Sequence, residues 1–98
     1  NAIAAWISIP RTGPLAGRVF LYATSHQAPF GWTTPATLIS DITDDVLPDF
    51  ALSLSNTSAP DMSIVWRAVD TISGNVVLKV RNGSFPNTWN PISQQISP

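Results

Sequence analysis

Four tryptophans are the side chains best suited to recognise a ligand. Trp32 and Trp89 each follow a turn-like segment, Pro-Phe-Gly and Pro-Asn-Thr. A flat indole matches the apolar face of a pyranose ring, so tryptophans in turns are candidates for stacking on sugars. The alternative is that both indoles lock their turns by packing, the commoner role of large aromatics. Trp6 and Trp66 end apolar runs instead, which predicts that they fill the core.

One histidine and one arginine complete the set of candidates. His26 lies in the same turn as Trp32 and is expected at the surface. A lone histidine without acidic or thiol neighbours at ligand spacing does not indicate zinc. Arg67 is the type of polar partner that accompanies aromatic rings in sugar-binding clefts. The predicted ligand-binding residues are therefore Trp32, Trp89, His26 and Arg67, with no metal and no cofactor.

Four aspartates form the only acidic cluster of the sequence: Asp41, Asp44, Asp45 and Asp49. A calcium loop needs alternating oxygen ligands and a glycine turn, and this cluster has neither. Glycoside hydrolysis needs two carboxylates that face each other across a sugar, which an isolated linker does not provide. We therefore expect a solvated linker here and assign no catalytic residue.

Composition excludes several classes of partner. The 98 residues are 44% hydrophobic and only 11% charged, with a net charge of −1 and no cysteine. Five basic residues spread along the chain give no electrostatic footprint for nucleic acid or an anionic membrane. No apolar stretch approaches the roughly 20 residues that span a bilayer. Polarity supplied by Ser, Thr and Asn predicts a secreted β-protein without disulfides.

The sequence contains an internal repeat. Residues 18–32 align with residues 75–89 without a gap, so that Leu21 matches Leu78 and Trp32 matches Trp89. Each copy is preceded by an apolar run that ends in tryptophan, and the following loops differ by three residues. Such a unit cannot bury its apolar face alone, so the repeat predicts stacked β-modules.

Runs of β-branched and aromatic residues, bounded by turn residues, predict the secondary structure. The strands are expected at 2–9, 18–25, 36–40, 49–54, 62–69, 75–81 and 93–97. Frequent prolines and the lack of an apolar stripe at helical spacing predict no helix. Gly74-Asn75 and Asn82-Gly83 are predicted turns. Strands that are apolar on both faces, such as 76–78, are expected to be covered on both faces.

The order of these strands and turns resembles a blade of a sialidase-type β-propeller. Residues 82–89 and 25–32 look like degenerate Asp-boxes that keep the tryptophan and lack the aspartate. The resemblance implies an all-β fold of antiparallel four-stranded blades. Residues 46–98 would supply a complete blade, and residues 1–45 would supply only strands two to four of another.

An incomplete blade would leave an unpaired row of backbone groups, and closed propellers usually have 4 to 8 blades. We therefore expect either a piece of a longer propeller or a module whose copies form a ring. The implied partners are carbohydrate and further propeller blades. Sialidases also use an arginine triad and a tyrosine nucleophile, but no matching motif surrounds the available residues Arg11, Arg18, Arg67, Arg81 and Tyr22.

Three classes of function remain, and a lectin-like carbohydrate-binding role is favoured. The alternatives are a non-catalytic part of a propeller glycoside hydrolase and a structural or protein-binding propeller, since propellers host all three. Asn56-Thr57-Ser58 and Asn82-Gly83-Ser84 match the N-glycosylation pattern. In a eukaryotic secreted protein, Asn56 and Asn82 would be candidate attachment sites.

Overall fold

The computed structural model describes residues 2–55, 61–86 and 88–96. These residues contain nine strands: β1 (Ala2–Ser8), β2 (Phe20–Gln27), β3 (Gly31–Trp32), β4 (Thr37–Leu38), β5 (Asp44–Leu54), β6 (Asp61–Asp70), β7 (Val76–Ser84), β8 (Thr88–Trp89) and β9 (Gln94–Gln95). All strand pairs are antiparallel. The described ranges hold no helix, and hence none that could cross a membrane. The prediction of an antiparallel all-β fold is confirmed.

The strands form two sheets. In the first sheet, β1 pairs with one edge of β2, while β4 and β3 pair with the other edge. In the second sheet, β6 and β7 pair centrally, β8 and β9 share the outer edge of β7, and β5 pairs with β6. β5 has no counterpart among the described residues of the first sheet. Within that same part of the chain, β1 is therefore paired along one edge only.

The repeat found in the sequence is a structural repeat. Tyr22 pairs with Leu38 in the first sheet, and Lys79 pairs with Gln95 in the second, both 57 positions later. The same shift relates two backbone hydrogen bonds. Ile39 N donates to Leu21 O at 2.8 Å, and Ile96 N donates to Leu78 O at 2.9 Å. Residues aligned by sequence therefore occupy the same register positions in the two sheets.

All seven predicted strands occur. The structure differs from the prediction in two additional short strands and in one turn. The two-residue strands β3 and β8 were not predicted, because two residues cannot show an alternating pattern. Asn82-Gly83 lies inside β7 rather than in a turn, whereas Gly74 does lie in the turn between β6 and β7. The predicted boundary between residues 45 and 46 falls just inside β5.

The core lies between the two sheets. Side chains from one face of each sheet pack together, and all of them are at most 6% exposed: Leu21, Ala23, Ile39, Val46, Ile64, Trp66, Ala68 and Val77. We call these two surfaces the inner faces and the opposite surfaces the outer faces. The core prediction is confirmed for Trp66 and wrong for Trp6. Trp6 lies on the outer face of the first sheet, 40% exposed and stacked on Tyr22 with ring centroids 6.4 Å apart.

A charged cluster joins the sheets beside this core. Lys79 Nζ binds Asp41 Oδ2 at 2.7 Å and also binds the carboxylate of Asp44, which is only 2% exposed. Arg81 Nη1 donates to the carbonyls of Leu38 and Ile39 at 2.7 and 3.1 Å. The expectation of a solvated linker is therefore wrong for Asp44, because a lysine from β7 compensates its burial.

Acid is expected to destabilise this arrangement. Burial would raise the pKa of Asp41, but hydrogen bonds from Lys79 and Ser93 outweigh it, and the pKa is lowered. Burial would also raise the pKa of Asp45, but hydrogen bonds from the Val19 amide and from Arg18 outweigh it, and the pKa is lowered. The unfolded chain therefore binds more protons as pH falls, so stability present above about pH 4 is lost below it. Thermal unfolding followed by circular dichroism should show this loss.

The matched control for the acid prediction is the double variant Asp41→Asn, Asp45→Asn. Among the described residues it removes two of the three carboxylates with lowered pKa, and Asp70 is the third, so its unfolding temperature should depend less steeply on pH below about 4 than that of the unchanged chain. Equal slopes for the two proteins would contradict the assignment.

Candidate functional site

The predicted ligand-binding residues lie in three separate places. Trp32 and His26 are cross-strand partners at the end of the first sheet. Their rings meet edge to face with centroids 5.0 Å apart, and Trp32 is 51% exposed while His26 is half-buried. The Trp32 ring is therefore held by a neighbouring ring, and its side chain remains accessible.

Trp89, the counterpart of Trp32, has a packing role. It pairs with Gly83 and packs against the core between the sheets. A Cβ atom at Gly83 would lie 2.6 Å from Thr88 O and 2.9 Å from Trp89 Cα, closer than real contacts allow. The absence of a side chain at Gly83 lets Trp89 approach the sheet, whereas His26 occupies the equivalent position beneath Trp32.

Arg67 lies on the outer face of the second sheet and forms an ion pair there. Its Nη2 atom is 2.7 Å from Asp49 Oδ2, and the two side chains are 51% and 58% exposed. Ion pairs this exposed add little stability. The structure does not bring Arg67 together with Trp32 or Trp89.

A polar cleft of about 420 Å³ lies at the end of the second sheet, where β5, β6 and β7 meet. Its lining offers hydroxyl, amide and carboxylate groups, with one thioether: Ser53, Ser55, Asp61, Met62, Ser63, Asn82, Gly83, Ser84 and Asn90. We call it the Asp61 cleft. Asp61 N donates to Ser55 Oγ at 2.7 Å, and Ser63 Oγ donates to Asn82 Oδ1. These bonds join β6 to Ser55, which follows β5, and to β7, and so fix polar groups of the cleft.

The cleft continues into a neighbouring groove of about 400 Å³. Asn82 and Asn90 line both, and the groove adds Val80, Pro91, Ile92, Ser93 and Gln94. Ile92 is 76% exposed and provides an apolar wall. Arg81 Nε donates to Asn90 O at 2.7 Å and so holds Asn90 against β7. The combined surface offers polar groups beside an apolar edge.

The first sheet has a different arrangement at the equivalent positions. Ser25 and Thr33 replace Asn82 and Asn90, and their hydroxyls bond to each other at 3.0 Å. Asn90 N donates to Asn82 O just as Thr33 N donates to Ser25 O, so the backbone is alike. The side chains and the presence of β5 therefore create the cleft in the second sheet.

Sequence analysis missed this cleft. Its lining comes from three strands and from two loop residues, Ser55 and Asn90, and no segment by itself carries a binding motif. The only local signal was Asn82-Gly83-Ser84, read as a glycosylation pattern, and Asn82 is exposed at the cleft. Asn56, the other candidate attachment site, lies outside the described residues.

No three acidic or histidine side chains within residues 2–55, 61–86 and 88–96 converge as metal ligands would. Comparison of the chain with family models, curated proteins and solved structures found no match.

Proposed function

We propose that the chain is a carbohydrate-binding, lectin-like segment of a secreted β-propeller, and that the Asp61 cleft is its sugar site. The observation that carries the proposal is the lining of this cleft. Hydroxyl, amide and carboxylate groups converge in one concavity beside an apolar wall. Sugars present hydroxyls and apolar C–H faces together, and sites that bind small molecules combine the complementary groups.

The charges in the cleft favour a neutral sugar. Asp61 is the only ionisable residue among the described lining residues of the cleft and its adjoining groove. A carboxylate accepts hydrogen bonds from sugar hydroxyls, and charge-assisted bonds of this kind are stronger than neutral ones. The same negative charge repels an acidic sugar. The proposed ligand is therefore an uncharged glycan.

The same lining favours binding over hydrolysis. Glycosidases use two carboxyl groups that flank the scissile bond, roughly 5–10 Å apart. Asp61 supplies one such group, and the described lining residues supply no second one. Bound glycan would therefore be held without cleavage.

The propeller part of the proposal is supported by the repeated sheets. Two antiparallel sheets with a common register pack face to face, and the outer edge of each is divided between two short strands. Propeller blades stack in the same manner around an axis. The low charge and the polarity from Ser, Thr and Asn support secretion.

A glycan array followed by calorimetry with the best ligand tests the sugar site. We expect Asp61→Asn to weaken binding about tenfold or more, because hydrogen bonds to charged groups contribute about 1.5–3 kcal/mol. Asn82→Ala should weaken it by a smaller factor, because a hydrogen bond between neutral groups contributes about 0.5–1.5 kcal/mol. Asp49→Asn is the matched control, since Asp49 is an exposed carboxylate of the same sheet outside the cleft. Absence of glycan binding, or equal losses for Asp61→Asn and Asp49→Asn, would overturn the proposal.

Trp32→Ala separates the cleft from the exposed indole as the sugar platform. With sugar bound in the Asp61 cleft, this variant keeps the affinity of the unchanged chain. If Trp32→Ala abolishes binding and Asp61→Asn does not, the sugar stacks on Trp32 and the assignment of the cleft is wrong.

A further inference from the structure

We propose that copies of this chain bind one another head to tail, through the outer face of the first sheet and the outer face of the second. The inference rests on the arrangement of repeated sheets in the proposed function. Val80 lies on the outer face of the second sheet and also lines the groove beside the Asp61 cleft, so a docked copy and a bound glycan share part of this face. Its basis is that the chain already contains one example of the required interface, the packing of its two inner faces.

The residues on the outer face of the second sheet are the repeat equivalents of the residues on the inner face of the first sheet. Ile39 is 0% exposed in the core, whereas Ile96, at the equivalent position 57 residues later, is 52% exposed. Val19 packs against the core, whereas its equivalent Val76 is 53% exposed. Apolar residues that are buried in the first sheet thus have apolar equivalents in the second sheet that no part of the described chain covers.

The outer face of the first sheet matches the inner face of the second in the same way. Trp66 is 1% exposed in the core, whereas the corresponding Trp6 is 40% exposed. Trp89 packs against the core, whereas Trp32 is 51% exposed. Each tryptophan that one sheet buries against the other has an uncovered counterpart.

The two outer faces therefore carry equivalent residues to the two inner faces that already pack together. The second-sheet outer face presents Val65, Val76, Val80 and Ile96, and the first-sheet outer face presents Trp6 and Tyr22. Arg67 on the second-sheet outer face is paired with Asp49, so docking there would not bury an uncompensated charge. Both surfaces exist on every molecule, which makes a second copy of the chain the partner whose surface fits.

The proposed contact is heterologous, because it joins two different surfaces. Each added copy then leaves one surface of each type open, and the assembly grows until it closes into a ring or extends as a filament. Contiguous apolar surfaces of this kind are uncommon on monomers unless they mark interaction sites.

Sedimentation velocity over a dilution series tests the contact. The unchanged chain should assemble, whereas Trp6→Lys and Ile96→Lys should each sediment as one chain of 10.5 kDa, because each variant places a charge on one of the two surfaces. A mixture of both variants should form a dimer and nothing larger, since it holds one intact surface of each type. Ile72→Lys is the control, since Ile72 is 86% exposed in the turn after β6 and lies on neither face.

Monomeric behaviour of the unchanged chain at every concentration would overturn the proposal, as would a mixture of the two variants that stays monomeric. Circular dichroism establishes that the variants are folded. Both substitutions leave the lining of the Asp61 cleft unchanged, and both variants are expected to be monomeric, so titration of either variant with the array-selected glycan tests the sugar site without assembly. Absence of glycan binding by these variants, with normal assembly of the unchanged chain, would contradict the proposed function alone. A monomeric unchanged chain that binds the glycan would contradict the head-to-tail contact alone.

Discussion

Replacement of Lys79 by methionine is expected to lower the free energy of unfolding by about 3 kcal/mol, because removal of one partner from a buried ion pair is strongly destabilising. Asp44 is 2% exposed, and its carboxylate is bound by the Lys79 ammonium. Methionine keeps much of the aliphatic stem of lysine but cannot neutralise the carboxylate. Urea unfolding followed by tryptophan fluorescence gives the difference in free energy.

Two further variants isolate the charge effect. Arg67→Met breaks the exposed pair with Asp49 and should cost less than about 1 kcal/mol, because solvent screens exposed charges. Addition of Asp44→Asn to Lys79→Met removes the uncompensated charge and should recover part of the loss. Equal costs for Lys79→Met and Arg67→Met would contradict the assigned role of the cluster.

The same lysine predicts a loss of stability in alkali. Burial alone would lower the pKa of Lys79, but the hydrogen bonds that its ammonium donates to Asp41 and Asp44 outweigh burial and raise the pKa. A raised pKa in the folded state contributes stability that is complete below the unfolded value of about 10.4. This contribution is lost as pH rises through the folded value. The free energy of unfolding of Lys79→Met should not show this decrease at alkaline pH.

Replacement of Trp66 by alanine is expected to cost about 4 kcal/mol, within the usual range for a buried tryptophan. Trp66 is 1% exposed and packs between the two sheets, so its removal leaves a cavity that both sheets line. The structural counterpart Trp6 is 40% exposed and supplies the matched control. Trp6→Ala should cost less than about 1 kcal/mol when it is measured at a dilution at which the unchanged chain sediments as a monomer.

Trp66→Phe refines the interpretation of that loss. The indole N–H of Trp66 is buried without a hydrogen-bond partner among the described residues. An unpaired buried donor costs about 1–3 kcal/mol, and phenylalanine removes it while it keeps most of the ring. We therefore expect Trp66→Phe to cost much less than Trp66→Ala. Equal unfolding free energies for Trp66→Ala and Trp6→Ala would contradict the distinction between the two faces.

The architecture could be predicted from the sequence where its signals are local. Apolar runs between Gly, Pro and Asn located seven strands, and the 57-residue alignment located equivalent positions, because a pleated strand and a turn each impose their own residue preferences. The long β5 was predicted only in part. Its first residues are acidic, and acidic residues are rare in strands unless a distant partner compensates them.

The candidate site could not be predicted, because its geometry depends on contacts between distant segments. Asp44 and Lys79 lie 35 positions apart, and nothing near Asp44 in the sequence indicates a buried cation. The lining of the Asp61 cleft is likewise drawn from three strands and two loops. Trp6 and Trp66 have similar local sequences but differ in exposure, since exposure depends on which sheet covers each face.

The edge of β1 gives the chain a route to fibrils. Within the described part of the chain this strand is paired only with β2, and Ala2–Ser8 contains no charged residue and no proline. Such residues are the usual means by which a sheet edge resists the addition of another strand. A strand that adds to this edge pairs through backbone hydrogen bonds, so it needs an extended backbone and no complementary side chains. A lysine introduced at Ala4 would act as a gatekeeper, as similar charges do beside other aggregation-prone strands.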